Sequence, residues 1–261
     1  MIKKPVLARF AHVKRVDLPL GRNDEDGNPV YNQILLRLPE NERGLLFPQL
    51  ELVRLKTHQV LHEPGDTLKS AYFCNTGMIS ILSVFTNGKS VEVGLVGNEG
   101  LVGLEVSAGF ASAANRAIVQ IEATAFRVSV STLVELLRQC QGLDMALRQA
   151  SQIMGMEASR IAACNRLHEV EERLARWLLM CSDRVGSNSL PLTQDLLGQM
   201  LGTRRSSVTL AAGILQKAGL IRNARGSIHI LNREKLEKMA CECYGIMRNQ
   251  IRRWQGKLAQ F

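Results

Sequence analysis

The stretch LTQDLLGQMLGTRRSSVTLAAGILQKAGLI, residues 192–221, decides the fold of the C-terminal part of the chain. Thr193 is a suitable N-cap for a first short helix, because its hydroxyl can accept a backbone N–H of the first turn. The apolar face of this helix is predicted to comprise Leu196, Leu197, Met200 and Leu201. Gly202 readily adopts the left-handed conformation that follows a helix end, and Thr203 can cap a second helix. Two short helices joined by a tight glycine turn form a helix-turn-helix.

The second helix carries the side chains that base readout requires. Val208, Ile214 and Leu215 are predicted to form its buried side. In a helix-turn-helix the N-terminal part of the second helix enters the DNA major groove, and Arg can bond O6 and N7 of guanine there, while Ser and Thr bond bases or phosphates. The predicted DNA-contacting residues are Thr193, Thr203, Arg204, Arg205, Ser206, Ser207 and Thr209. The alternative is an ordinary pair of surface helices with solvated arginines.

A basic hairpin is predicted directly after the second helix. Residues 219–231 have the pattern of strand, tight turn, strand, as in the wing of a winged helix. Arg222 and Arg225 lie at this turn and are predicted to contact phosphates. Between residues 190 and 235 there are seven Lys or Arg and two Asp or Glu, a local charge of +5 out of +9 for the chain. This concentration of charge favours a polyanion partner, and the motif indicates double-stranded DNA.

Residues 50–130 have the sequence pattern of a β domain. Short β-prone runs (52–55, 78–85, 91–96, 117–121 and 125–130) alternate with turn signals at 63–66, 75–77, 86–89 and 96–100. Asn87-Gly88 is a strong hairpin signal, because both residues tolerate positive φ. Many short strands at near-regular spacing indicate a small barrel or a sandwich. Residues 1–32 are predicted to be irregular, and a short helix is expected at about 39–47.

The pattern becomes helical from residue 131 onward. One apolar stripe comprises Leu143, Leu147, Ala150, Met154, Ile161 and Cys164. It could pack on the β domain of its own chain or on the same helix of a second chain. The second interpretation is favoured, because a long helix between two compact domains has little core of its own to cover. A further helix is predicted at about 170–183, with Leu174, Trp177 and Leu178 in the core.

Composition sets broader limits on the function. The 261 residues are 46% hydrophobic, which suffices for buried cores. The six cysteines are scattered, and neither a signal peptide nor an apolar span of membrane length is recognised. We therefore expect a cytoplasmic protein with reduced thiols and no membrane partner. No catalytic motif appears at a recognisable spacing, so an enzyme is not expected.

The order of elements resembles the Crp/Fnr family of bacterial transcription regulators over about residues 50–244. The most specific parts are CNRLHEVEERLARWLL, residues 164–179, and the winged helix-turn-helix. The resemblance implies an α+β fold: an arm and short helix (1–48), a jelly-roll β-roll of the cyclic-nucleotide-binding type (49–131), a dimerisation helix (132–166), a DNA-binding domain (167–237) and a basic tail (238–261). It also implies a homodimer on a two-fold DNA site, a sensory β-roll and, as a further partner, RNA polymerase. Arg205 falls where the family carries a base-contacting Arg.

The sensor departs from the nucleotide-binding members of the family. They carry a Gly-Glu pair and an Arg-Ser or Arg-Thr pair, where this chain has Gly103-Leu104-Glu105 and Arg116-Ala117. Glu105 and Arg116 remain the candidate contacts for an unknown small-molecule effector, but a cyclic nucleotide is disfavoured. The iron–sulfur cluster of the oxygen-sensing members is not expected either, because residues 1–73 contain no Cys.

No metal site is predicted. His58 and His62 would stand ~13 Å apart on a strand, too far to share one ion. Cys241 and Cys243 are expected on one helix, where neighbours two apart diverge, and His168 is expected to stand alone. The alternative to a DNA-binding regulator is a small-molecule sensor module that signals through protein contacts.

Overall fold

The computed structural model describes residues 22–24 and 26–257, so most of the predicted N-terminal arm lies outside the described residues. The α-helices are α1 (Gln33–Arg37), α2 (Glu40–Leu46), α3 (Val130–Gln139), α4 (Gln141–Leu167), α5 (Val170–Val185), α6 (Gln194–Met200), α7 (Arg205–Lys217), α8 (Arg233–Met239) and α9 (Cys243–Lys257). The strands are β1 (Arg22–Asn23), β2 (Pro29–Val30), β3 (Glu51–Leu55), β4 (Val60–His62), β5 (Ser70–Val84), β6 (Ser90–Val96), β7 (Leu101–Val102), β8 (Arg116–Ser129), β9 (Ser189–Leu190), β10 (Ile221–Ala224) and β11 (Ser227–Ile230).

An antiparallel β-roll forms the N-terminal half, and the predicted α+β class is confirmed. Its strands lie in the order β3-β8-β5-β6, with β4 added to β8 and β7 added to β5. The Asn87-Gly88 turn is confirmed, because it joins β5 to β6 where Val84 pairs with Ser90. The apolar alternate positions of these strands, such as Phe73 and Phe126, face the inside and are fully buried.

Two predictions about these strands are wrong. Residues 75–77 lie inside the 15-residue strand β5 and do not form a chain-reversing turn. The runs 117–121 and 125–130 belong to the single strand β8, except that Val130 begins α3. The pairing of β5 with β8 shifts register around Thr76 and Met78. Gly77 has φ +79, and a Cβ there would lie 2.2 Å from the carbonyl oxygen of Glu122. The glycine therefore marks a bulge where two backbones touch.

The N-terminal helices brace the long helix. The predicted helix at 39–47 is α2. The β1–β2 pair occupies part of the segment 1–32 that was predicted to be irregular, and α1 at residues 33–37 was not predicted. The side chain of Asn32 caps α1. The carboxylate of Glu42 accepts the backbone N–H groups of Gly142 and Leu143 at 2.8 and 2.9 Å. This carboxylate caps α4, whose free amides would otherwise lack partners at this buried position.

The apolar stripe of α4 packs on its own chain, so the favoured assignment of this stripe to a dimer seam is wrong. Leu143, Leu147 and Ala150 lie in one core with the inner side of β5 and β8. Ile161 and Cys164 lie in the core shared with α5 and the C-terminal domain. Two domains at opposite ends of the helix thus bury its two halves.

The C-terminal segment is also more ordered than a solvated tail. Tyr244, Met247 and Trp254 of α9 are buried, and the indole N–H of Trp254 donates to Gln149 of α4 at 2.9 Å. The long helix and the last helix therefore pack against each other. None of the described helices combines the length and the apolarity that a membrane span requires.

Candidate nucleic-acid interface

The helix-turn-helix consists of α6, a turn at Gly202, and α7. The Oγ1 atom of Thr193 accepts the backbone N–H of Leu196 at 3.4 Å, so the predicted N-cap is confirmed. Gly202 has φ +58 directly after the helix end, as predicted. The prediction for Thr203 is wrong, because α7 begins at Arg205 with Arg204 at the N-cap, and no side chain caps it. The turn is one residue longer than the sequence suggested.

One face of α7 is buried and the other is open. Val208 and Leu215 are buried as predicted, together with Ala211 and Ala212, which sequence analysis missed. Ile214 was predicted to be buried, but it is 38% exposed, because residues 208, 211, 212 and 215 define the inner face by helical spacing. Every predicted contact on this helix is at least partly accessible: Arg204, Arg205, Ser206 and Thr209 are exposed, and Ser207 is half-buried.

Leu210 belongs to this open face, although the predicted site omitted it. Its side chain is 69% exposed in the middle of α7, between Thr209 and the buried Ala211. The Oγ1 atom of Thr209 donates to the backbone carbonyl of Arg205 at 3.0 Å. An apolar side chain among hydroxyls and guanidinium groups can meet the methyl group of thymine.

The predicted wing is present and has a third strand. β10 and β11 pair through Ala224 and Ser227, with Arg225 and Gly226 in the turn, and β9 adds to β11. Sequence analysis did not predict β9, because two residues carry no alternation. The side chain of Gln216 in α7 accepts the backbone N–H of Asn223 at 3.1 Å. Arg222 and Arg225 are exposed on this hairpin, which the hydrogen bond fixes relative to α7.

The tip of the β5–β6 hairpin stands beside the start of α7. A cleft of about 810 Å³ separates them, lined by Phe85, residues 87–91, Gly198, Gln199 and residues 202–205. Gln199 donates to the hydroxyl of Ser90 at 2.5 Å, and a Cβ on Gly202 would lie 2.8 Å from Val91. The β-roll thus contacts the helix-turn-helix at the turn that sets the position of α7.

Two buried polar networks hold the C-terminal domain on the β-roll. Arg184 of α5 binds Glu99 at 2.7 Å and Glu157 of α4 at 3.1 Å. Burial raises the pKa of Glu157, although the charge of Arg184 opposes this effect. In the second network, the carboxylate of Glu92 in β6 accepts the indole N–H of Trp177 at 2.6 Å and the hydroxyl of Ser80 at 2.8 Å. Burial raises the pKa of Glu92 to about 7.

A second cavity, of about 330 Å³, lies between the β-roll and α4. Glu105 lines it, together with His62 and Phe110 from the β-roll side and Ser151, Met154 and Gly155 from α4. Arg116 is not among its lining residues, and its guanidinium binds Glu63 at 2.8 Å instead. The structure therefore does not bring the two candidate effector contacts together in this cavity.

Four potential metal ligands converge where sequence analysis predicted none. Cys241 lies in the link before α9 and Cys243 begins that helix, so they do not share one helix as predicted. Their sulfurs, that of Cys164 and a ring nitrogen of His168 all lie within 4.8 Å of one another. His168, predicted to stand alone, is part of this group. Only the tertiary fold brings residues 164–168 and 241–243 together, so no spacing signal in the sequence could have revealed it.

Comparisons with known proteins agree with this architecture. Residues 172–239 match the family model of a Crp-like helix-turn-helix domain. A Crp/Fnr-family regulator from Eubacterium rectale aligns with a TM-score of 0.63 at 15% identity, covering 79% of this chain and 96% of that one. FixK2 from Bradyrhizobium japonicum aligns at 0.64 and 17%, covering 74% and 98%. A Crp/Fnr-family regulator from Thermus thermophilus aligns at 0.59 and 24%, covering 73% and 98%.

No curated protein sequence matches the chain. The solved structures are too distant in sequence to show more than the fold, but they and the domain model agree on it. The predicted resemblance in fold is thereby confirmed.

Proposed function

We propose that this chain, which has the Crp/Fnr fold and a Crp-like helix-turn-helix domain, is a homodimeric, sequence-specific transcription regulator that acts on DNA in the cytoplasm. The observation that carries the proposal is the open face of α7. Its first turn offers Arg204, Arg205 and Ser206 to solvent on a helix whose other face is fully packed. A rigid helix with accessible Arg and Ser at its start suits insertion into the major groove.

The contacts fall into two kinds. Arg205 is assigned to base readout, because it lies in the first turn of α7 and can form a bidentate pair with guanine. Arg222 and Arg225 of the wing are assigned to phosphates, since a hairpin beside the recognition helix lies over the sugar–phosphate backbone. Further contacts are assigned to Arg204, Ser206, Ser207 and Thr209. Thr193 and Thr203 precede α6 and α7, at the helix ends nearest the sugar–phosphate backbone of the DNA.

A second copy of the chain is expected along the outward face of α4. Met145 and Met156 are 53% and 38% exposed there, and Ser159, Ala162 and Ala163 are exposed on the same side. The small residues beyond Met156 permit close approach of two helices. Pairing along this face would place the two recognition helices about one DNA turn, ~34 Å, apart on a two-fold site.

The effector is proposed to be an uncharged, largely apolar small molecule in the 330 Å³ cavity. No Lys or Arg occurs among the described residues that line it, so an anionic phosphate would lack a counter-charge. His62 Nδ1 pairs with the carbonyl of Asn115, while its buried Nε2 atom has no partner among the described residues. A ligand N–H or O–H could satisfy this atom. Ser151, Met154 and Gly155 would carry the effect to α4.

Selection from random duplexes, followed by binding measurements, tests the DNA contacts. Arg205→Ala should flatten the preference at one base pair, at a cost of roughly 1–3 kcal/mol. Arg225→Ala is the matched control on the wing. It should weaken all duplexes alike and lower the salt slope by about 1.

Two outcomes would contradict the proposal. Equal losses on selected and random duplexes for Arg205→Ala would exclude base readout by this residue. Failure to retain any genomic fragment at low salt would favour the alternative, a sensor module that signals through protein contacts. Contact with RNA polymerase remains a prediction of the family resemblance.

A further inference from the structure

Three cysteines and a histidine meet at the hinge between the long helix and the DNA-binding domain. Cys164 lies in the last turn of α4, His168 follows that helix, and Cys241 and Cys243 lie at the start of α9. The Sγ atoms of Cys164 and Cys241 are 3.5 Å apart, and Sγ of Cys243 is 3.8 Å from Nδ1 of His168. All three cysteines are at most 5% exposed.

Two buried guanidinium groups lie beside this cluster. Arg173 and Arg176 of α5 are 6% and 2% exposed, and neither forms a salt bridge with a carboxylate among the described residues, although the charge of Arg176 acts on Glu92 and Glu157. The Nε atoms of both lack a hydrogen-bond partner. Buried guanidinium groups need a counter-charge.

We propose that Cys164, His168, Cys241 and Cys243 form a tetrahedral binding site for one Zn²⁺ ion. With Zn–S bonds of about 2.3 Å and Zn–N bonds of about 2.0 Å, the ligand atoms of such a site lie roughly 3.5–3.8 Å apart. The separations of 3.5 Å between Cys164 and Cys241 and 3.8 Å between Cys243 and His168 match that edge, and all four ligand atoms lie within 4.8 Å of one another. A multi-iron cluster would hold its ligands farther apart, because several irons and sulfides lie between them.

The charge count of the bound state agrees with this assignment. Three thiolates around a dication, with a neutral imidazole, leave one net negative charge, which the two buried guanidinium groups face. Binding releases the thiol protons to solvent, and the ion keeps its oxidation state. With four protein ligands the coordination is closed, which is typical of a structural site.

The ion would fix the hinge relative to the DNA-binding surface. It would join the end of α4 to the start of α9. Arg173, beside the cluster, donates to the carbonyl of Leu201, next to the turn of the helix-turn-helix. The site therefore lies one side chain away from the turn that positions α7.

Metal analysis of the reduced full-length protein tests the site. We expect one zinc per chain, released by a strong chelator with a fall in the unfolding temperature. Co²⁺ added to the stripped protein should produce the absorption of a tetrahedral thiolate site. Cys241→Ser and Cys243→Ser should lose both signals. Cys140→Ser, a buried cysteine outside the cluster, should keep them.

Several results would overturn the assignment. The first is that the folded, reduced protein binds neither Zn²⁺ nor Co²⁺ at stoichiometric concentration. The second is that the protein contains iron and acid-labile sulfide. The third is that the protein isolated without reductant contains a Cys164–Cys241 disulfide. If the serine variants do not fold, the cobalt spectrum of the unsubstituted chain decides alone. Because none of these measurements involves DNA, a negative result would leave the proposed function standing.

Discussion

Glu92 is a buried carboxyl group whose ionisation opposes folding. Burial raises its pKa from 4.5 to about 7, although Trp177 and Ser80 donate hydrogen bonds to it. The unfolded chain therefore loses this proton at lower pH than the folded chain does. Between about pH 4.5 and pH 7, rising pH stabilises the unfolded state relative to the folded one. This one group thus makes the protein less stable as the pH rises through that window.

Glu92→Gln should remove this contribution. The amide can still accept from Trp177 and can donate to Ser80, so the shape is kept. The free energy of unfolding of the variant, relative to the unsubstituted protein, should rise by up to about 3 kcal/mol between pH 4.5 and pH 7. Denaturant unfolding at several pH values measures it. A difference independent of pH would show that Glu92 titrates normally.

Leu210 predicts a thymine in the target sequence. Its side chain is 69% exposed on α7, and a thymine methyl group would cover part of it. Leu210→Ala should lower the preference for that thymine by roughly 1 kcal/mol. Deoxyuridine at the same position removes only the methyl group and provides the matched control. If Leu210→Ala weakens thymine and deoxyuridine sites equally, the contact is absent.

Individual residues were predictable where the cause is local. Thr193 at its cap and Gly202 at its turn follow from backbone chemistry, and both are confirmed. Thr203 was misplaced because α7 begins one residue later than predicted, and Ile214 was misplaced because residues 208, 211, 212 and 215 form the inner face. The hinge cluster was missed altogether, because residues 164–168 and 241–243 meet only through packing of α5, α8 and α9. Tertiary contacts of this kind leave no local pattern.

At the scale of elements, α4 has two apolar sides with different partners. Its inner stripe is buried in the chain itself, and the outer face with Met145 and Met156 is left open. Periodicity shows that a helix face is apolar, but it does not show what covers the face. The same limit applies to β5, where turn-forming residues at 75–77 make a bulge because β8 continues to pair alongside.

A substitution on the outward face of α4 is expected to break the dimer. Met156→Glu should place a charge in the seam of two α4 helices and shift the protein from dimer to monomer at micromolar concentration. Sedimentation or light scattering measures the mass. Leu45→Glu alters a similarly exposed residue in α2 and should leave the dimer intact. A dimer unaffected by Met156→Glu would mean that the copies associate elsewhere.

At the scale of the molecule, Arg184 joins three parts: the β-roll through Glu99, the long helix through Glu157 and its own DNA-binding domain. Arg184→Met should cost about 3–5 kcal/mol, because it removes the salt-bridge partner of the buried Glu157 and of the partly buried Glu99. The loss should grow as the pH rises above the ordinary carboxyl pKa, where the unfolded chain is ionised.

Adding Glu99→Gln and Glu157→Gln to Arg184→Met provides the control. The triple variant should regain much of the lost stability, because its buried groups are neutral. Unfolding midpoints in denaturant measure all three proteins. If the triple variant is as unstable as the single one, packing of the Arg184 side chain matters more than its charge.

The two tryptophans of the chain lie at two different internal interfaces, and the fluorescence of each can report on its own interface. Trp177 touches β6 of the β-roll and Trp254 touches α4, so each indole emits from a separate seam. Separation of the DNA-binding domain from the β-roll would expose Trp177 to water and shift its fluorescence to longer wavelength. Release of α9 from α4 would have the same effect on Trp254. Trp254→Phe leaves a single fluorophore, so motion of the domain can be followed without any attached dye.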